Sequence, residues 1–103
     1  MRVMGKKITP TAEAFAAKYR DNPSAIAKYL NDALSTCDPV LITKAIGDMV
    51  RAQGVTSFSQ KAGVRREGLY RTFSGETSPA LDRVMTVLLA LDIQLTAKPT
   101  TGS

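Results

Sequence analysis

The stretch TSFSQKAGVRREGLYRTFSG, residues 56–75, constrains the fold of this chain more than any other feature. Its apolar residues recur at spacings that let two short helices pack against each other, with Gly63 between them. A left-handed turn costs little only for glycine, so we expect Gly63 to form the turn. Two short helices joined in this way are typical of a helix-turn-helix, whose second helix enters the DNA major groove. The stretch therefore predicts a helix-turn-helix with Val64, Leu69 and Phe73 facing the interior.

Two longer helices are predicted before this pair. Asp21-Asn22-Pro23 and Asp38-Pro39 each combine a capping side chain with a first-turn proline, which marks a helix start. Apolar residues then recur every three or four positions, to about residue 36 in the first helix and about residue 53 in the second. In the second helix, Lys44, Asp48 and Arg51 are expected on the solvated side.

The last part of the chain is predicted to contain a helix and a short strand. Ser78-Pro79 indicates a helix start, and the leucines that follow indicate a helix buried on more than one side. Ile93, Leu95 and Ala97 alternate with polar residues, a period of two that is typical of a half-buried strand. Pro99 should end this strand because proline has no amide hydrogen to donate. A lone strand needs a partner in the N-terminal segment, in a second copy or in another protein, and an irregular tail is the alternative.

Length and composition indicate one domain. A chain of 103 residues can form one modest core but not two. We expect residues 1–20 to be weakly ordered, residues 21–98 to form the helix-turn-helix domain, and residues 99–103 to be a tail. No apolar run approaches the ~20 residues of a membrane-spanning helix. The start, MRVMGKK, lacks the apolar stretch of a secretory signal, so a cytoplasmic protein is expected.

The outer side of the second short helix is predicted to be cationic. Arginine forms paired hydrogen bonds with guanine and also binds phosphates. A net charge of +5 suits an anionic partner, although basic proteins without such a partner are as common, and solvated surface charges are the alternative for the arginines. The amides that open the first short helix are placed to hold a phosphate. The candidate DNA-contacting residues are Thr56, Ser57, Lys61, Arg65, Arg66, Glu67, Tyr70, Arg71, Ser74 and Thr77.

The sequence offers little for catalysis. It contains no histidine, which removes the commonest general base and the commonest metal ligand. Cys37 is the single cysteine, so it cannot form an intrachain disulfide and cannot alone make a metal site. The carboxylates are scattered along the chain. We therefore predict no catalytic residue, no metal site and no cofactor, and we do not expect an enzyme.

Three stretches resemble a known family. AIAKYLNDAL (25–34), DPVLITKAIGDMVRAQGVT (38–56) and FSQKAGVRREGLYRTFSGETSPALDRVMTVLLALDIQLTA (58–97) are similar to HigA-like antidote proteins of bacterial toxin–antitoxin modules. These proteins carry a lambda-repressor-like, Xre-type helix-turn-helix. The most specific marks are AGV followed by RREGLYRTFSG, then a proline-initiated helix and a terminal ALDIQL.

The resemblance implies a fold and two binding activities. The implied fold is all-α, a five-helix lambda-repressor-like domain with a short C-terminal strand, present as a homodimer. The implied partners are double-stranded operator DNA, through which the protein represses its own operon, and a co-encoded toxin, a ribosome-dependent ribonuclease related to RelE or HigB. By the same resemblance, Arg65, Arg66, Glu67, Tyr70 and Arg71 take the base-reading and phosphate-holding positions.

Two departures from the family pattern affect the second short helix. Arg65 stands where the family usually places a capping serine, so a cap worth ~1 kcal/mol is missing. Gly68 stands where another serine is frequent, and a glycine inside a helix costs ~1 kcal/mol. Two other functions remain open: a stand-alone repressor with the same fold, and a protein-interaction module whose helix-turn-helix no longer binds DNA.

Overall fold

The computed structural model describes the backbone of residues 8–100 and the side chains of residues 12–100. Over these residues the chain is all-α, as predicted. Its six helices are α1 (Ile8–Tyr19), α2 (Pro23–Leu34), α3 (Pro39–Gln53), α4 (Val55–Ala62), α5 (Arg66–Thr72) and α6 (Leu81–Ala90). Helix α3 is central and packs against α1, α2 and α4, while α4 also packs against α5 and α6.

Helices α2 and α3 begin where the sequence predicted. The side chain of Asn22 accepts a hydrogen bond from the Ala25 amide at 3.3 Å. The side chain of Asp38 accepts one from the Val40 amide at 2.9 Å. Each cap is followed by a proline, whose missing amide hydrogen is not needed in a first turn.

The core is one continuous apolar cluster to which all six helices contribute, together with Val64, Phe73 and Leu91 in the segments that follow α4, α5 and α6. Each fully buried aliphatic or aromatic side chain contributes about 1.5–3 kcal/mol relative to an exposed one. The buried apolar residues are Tyr19, Ile26, Leu30, Ala45, Ile46, Met49, Val50, Ala52, Phe58, Val64, Leu69, Phe73, Val87, Leu88 and Leu91.

Part of the segment for which the sequence predicted weak order is helical. Residues 8–19 form α1, and residues 1–7 lie outside the described residues. The ring of Tyr19 is buried and lies 4.9 Å from that of Phe15 and 5.2 Å from that of Tyr29, measured between centroids. Gln53 of α3 donates from Nε2 to the Tyr19 carbonyl and accepts at Oε1 from the Asp21 amide, both at 2.9 Å. Packing and hydrogen bonds thus join α1 to the end of α3.

Helix α6 begins later and is less buried than predicted. Ser78-Pro79 does not cap it, because the chain stays extended for one further residue and the helix starts at Leu81. Leu81 is 70% exposed and Leu89 is 64% exposed. The first lies at the helix end, and the second lies opposite the buried positions Val87 and Leu88. The prediction of burial on more than one side was wrong.

The strand predicted over residues 93–97 is not formed in the described part of the chain. The Ile93 amide donates to the Leu88 carbonyl at 2.9 Å, which closes α6. Residues 93–99 have no regular secondary structure. An alternating sequence becomes a strand only when a neighbouring strand accepts its backbone hydrogen bonds, and residues 8–100 provide none.

None of the helices formed by residues 8–100 could span a membrane.

Candidate nucleic-acid interface

Helices α4 and α5 are joined by the tight turn that the sequence predicted. Gly63 has φ 72° and ψ 28°, the left-handed conformation. Its amide and that of Val64 both donate to the Ser59 carbonyl, at 2.9 and 3.1 Å, and so satisfy the end of α4. The side chains of Val64 and Leu69 are buried, as is Phe73 directly after α5. These contacts fix the angle between the two helices and decide which side of α5 faces outward.

The outward side of α5 is cationic. Residues 55–75 contain four cations and one carboxylate. Arg65, Arg66 and Arg71 are all exposed, and Tyr70 is half exposed beside them. Among the described residues, none of these arginines forms an ion pair. Their guanidinium groups are therefore free to bind an anion from outside the chain.

One hydrogen bond connects the starts of the two short helices. Arg66 Nη1 donates to Thr56 Oγ1 at 3.1 Å. Ser57 follows Thr56 in the first turn of α4, which has no side-chain cap. The Thr56 hydroxyl and the Arg66 guanidinium therefore lie together at the first turn of α4, whose free amides can also bind a phosphate oxygen.

The ten residues that the sequence proposed as DNA contacts are all exposed, but they do not form one cluster. Ser57 and Lys61 line a polar cleft that also contains Arg20 and Asp92. Thr77 lines a separate depression between Gly63 and α6. Ser74 follows α5, and its hydroxyl accepts from the Glu76 amide at 3.2 Å. Lys61 and Thr77 are thus at the margins of the group centred on α5.

Helix α5 has no side-chain cap, in agreement with the sequence prediction. Arg65 occupies the N-cap position with φ −65° and ψ 146°, and its side chain forms no capping hydrogen bond. Glu67 in the first turn and Arg71 in the last turn both have the charge that favours the helix dipole. The packing of Leu69 and these two charges therefore stabilise α5, a helix of seven residues without a side-chain cap.

One further cation, Lys44, lies close to this surface although its sequence pattern does not predict it. Lys44 of α3 was expected to be merely solvated, and it is indeed exposed. Its side chain, however, lies directly against Gly75, in the segment that follows α5. No local pattern predicts this contact, because it joins residues thirty-one positions apart.

The fold and this surface define a small all-α protein with a cationic pair of short helices. A family model described as "Probable addiction module antidote protein" matches residues 11–99. The chain belongs to this family, and membership supports an antitoxin role.

A protein of Haemophilus influenzae described as "Uncharacterized protein" is 37% identical over 78 residues, which are 76% of this chain and 80% of that relative. No solved structure matches the chain significantly.

Proposed function

We propose that this protein is an antitoxin that binds operator DNA, represses its own operon and neutralises a co-encoded toxin by direct binding. In this proposal α2–α6 form a lambda-repressor-like, Xre-type domain, α4 and α5 are its helix-turn-helix, and α5 is the recognition helix. The toxin is a ribonuclease of the RelE or HigB kind. Family membership supports the antitoxin role, and the resemblance of residues 58–97 to HigA-like proteins supports the toxin class.

The observation that carries the DNA-binding part is the set of three unpaired arginines on the exposed side of α5. Arg65 and Arg66 open the helix and Arg71 lies in its last turn, while Leu69 holds the opposite side in the core. Two or three such cations, displayed by a helix short enough to fit the major groove, can read guanine edges or bind phosphates. Neutralisation of phosphates releases counterions and makes affinity salt-dependent.

The test is a gel shift on DNA from upstream of the operon, with wild type and the triple variant Arg65→Ala, Arg66→Ala, Arg71→Ala. We expect the variant to lose binding and to keep its helical circular dichroism. The matched control replaces Lys18, Lys28 and Lys98 with alanine. These three exposed cations lie outside α4 and α5, and the change in net charge is the same. Equal losses in both triple variants would contradict a specific role for α5.

The toxin part is tested by co-expression with the adjacent reading frame. We expect the two proteins to copurify and the antitoxin to suppress the growth arrest that the toxin causes alone. A chain that binds upstream DNA but has no neighbouring toxin would instead be a stand-alone repressor. A chain that binds a partner protein, but whose affinity for DNA is absent at all salt concentrations, would be an interaction module.

A further inference from the structure

A cation from α3 lies beside the proposed recognition helix. Gly47 of α3 lies directly against Phe73, because a β-carbon there would lie 2.7 Å from the Phe73 carbonyl oxygen and 3.2 Å from Phe73 Cβ. Lys44 lies one turn earlier on the same side of α3. The side of α3 that carries both residues therefore faces the end of α5 and the segment that follows it.

The side chain of Lys44 packs against Gly75. A β-carbon at Gly75 would lie 2.6 Å from Lys44 Cε and 2.9 Å from Lys44 Cγ, so the aliphatic stem passes directly over the glycine backbone. Gly75 also has φ 92°, a conformation that favours glycine. Packing of the stem leaves only the end of the side chain, with its ammonium group, to extend into solvent.

The ammonium group has no carboxylate partner among the described residues. Glu76 follows Gly75 in the chain, yet it forms no ion pair with Lys44. Arg51, two turns further along α3, differs in this respect, since its Nη2 lies 2.7 Å from Asp48 Oδ1. Lys44 thus combines a stem packed on Gly75, an exposed charge and a position next to the end of α5.

We propose that Lys44 binds a phosphate of the DNA backbone, next to the segment 74–77. This inference rests on the proposed DNA binding through α5. With α5 in the major groove, the segment that leaves the helix passes the bordering phosphates, and Lys44 is the cation packed against that segment. A stem already fixed by packing loses less conformational entropy when the ammonium group binds. A phosphate contact of this kind orients the protein without reading sequence.

The experiment compares Lys44→Met with Lys28→Met in titrations of upstream DNA at several salt concentrations. Methionine keeps an apolar stem over Gly75 and removes the charge. Lys28 is exposed on α2, whose main contacts are with α1 and α3, and the change in net charge is identical. One lost phosphate contact should lower the slope of log affinity against log salt by ~0.9 and weaken binding roughly fivefold near physiological salt. We expect both effects for Lys44→Met and an unchanged slope for Lys28→Met, with the same thermal midpoint in both variants.

An unchanged slope for Lys44→Met, or equal reductions in the two variants, would overturn this inference while leaving DNA binding by wild type intact. Wild type that binds no upstream DNA would instead overturn the proposed function. The same slopes measured on unrelated duplex DNA should change by the same amount, because a phosphate contact is independent of sequence. A change confined to the operator would show that Lys44 reads bases and would contradict the proposal.

Discussion

Gly47 and Gly68 both lie within helices but differ in the space around them. Substituting them should therefore change the free energy of unfolding in opposite directions. At Gly47 an added methyl group would meet the Phe73 carbonyl at 2.7 Å, whereas at Gly68 it would meet only Val64 Cγ1 at 3.8 Å. We expect Gly47→Ala to lower the free energy of unfolding by about 1–3 kcal/mol, because α3 and α5 must move apart. Gly68→Ala should raise it by up to ~1 kcal/mol by improving helix propensity. Urea unfolding of the two variants checks both signs, and equal midpoints would show that α5 does not press on α3 at Gly47.

The spacing of apolar residues predicted which side of the helix pair is buried, because burial of those residues in the core sets the orientation of both helices. Val64, Leu69 and Phe73 were expected inside and are buried. Spacing failed at Leu81 and Leu89, which are leucines in a helical pattern but remain exposed. Hydrophobicity indicates that a side chain can be buried, not that another element is present to cover it.

At the scale of elements, a tyrosine connects α2 to α3 and provides a pH-dependent measure of their contact. Tyr29 Oη donates to Asp48 Oδ2 at 2.7 Å, and Asp48 also pairs with Arg51. Burial of the ring, followed by the hydrogen bond and charge of Asp48, raises the pKa of Tyr29 from 10.0 to about 12. The folded protein therefore holds this proton more tightly than the unfolded chain does.

The resulting stability is complete below pH 10 and is lost as the pH rises towards 12, since the unfolded chain loses the proton first. We expect the fall in the free energy of unfolding across this range to be smaller in Tyr29→Phe than in wild type. Tyr70→Phe, on the exposed side of α5, is the matched control. Its free energy of unfolding should fall by as much as that of wild type. Denaturant unfolding at intervals between pH 9 and 12 measures the difference. Parallel curves for the three proteins would contradict a shifted tyrosine.

Helix starts were predictable where the signal is local. Asn22 and Asp38 each form their cap with amides two or three residues away, so sequence alone contains the whole interaction. The contact of Lys44 with Gly75 and the docking of α1 through Gln53 were not predictable. Each contact joins distant parts of the chain, and neither Lys44 nor Gln53 belongs to a local sequence pattern. Residues 93–99 alternate in sequence yet have no regular secondary structure, because residues 8–100 offer no neighbouring strand and a local pattern does not reveal that.

At the scale of the whole molecule, the length of α5 limits how much DNA sequence one copy would contact in the proposed complex. A helix of seven residues is about 10 Å long, which spans roughly three base pairs at 3.4 Å each. So short a contact does not specify one site in a genome. Two copies that bind together read twice the sequence, and their recognition helices must then lie ~34 Å apart, one turn of DNA. This requirement agrees with the homodimer that the family resemblance implies, and we propose that the protein binds DNA in that form.

The dimer proposal predicts a dependence on DNA spacing. Once the upstream site has been mapped, inserting about five base pairs between its half-sites would place them on opposite sides of the duplex, whereas about ten would return them to the same side. We expect the five-base-pair insertion to abolish binding of the second copy and the ten-base-pair insertion to restore part of it. Sedimentation of protein with each duplex counts the copies bound. One copy on every duplex at equal affinity would show that a single α5, together with phosphate contacts such as the one proposed for Lys44, is sufficient.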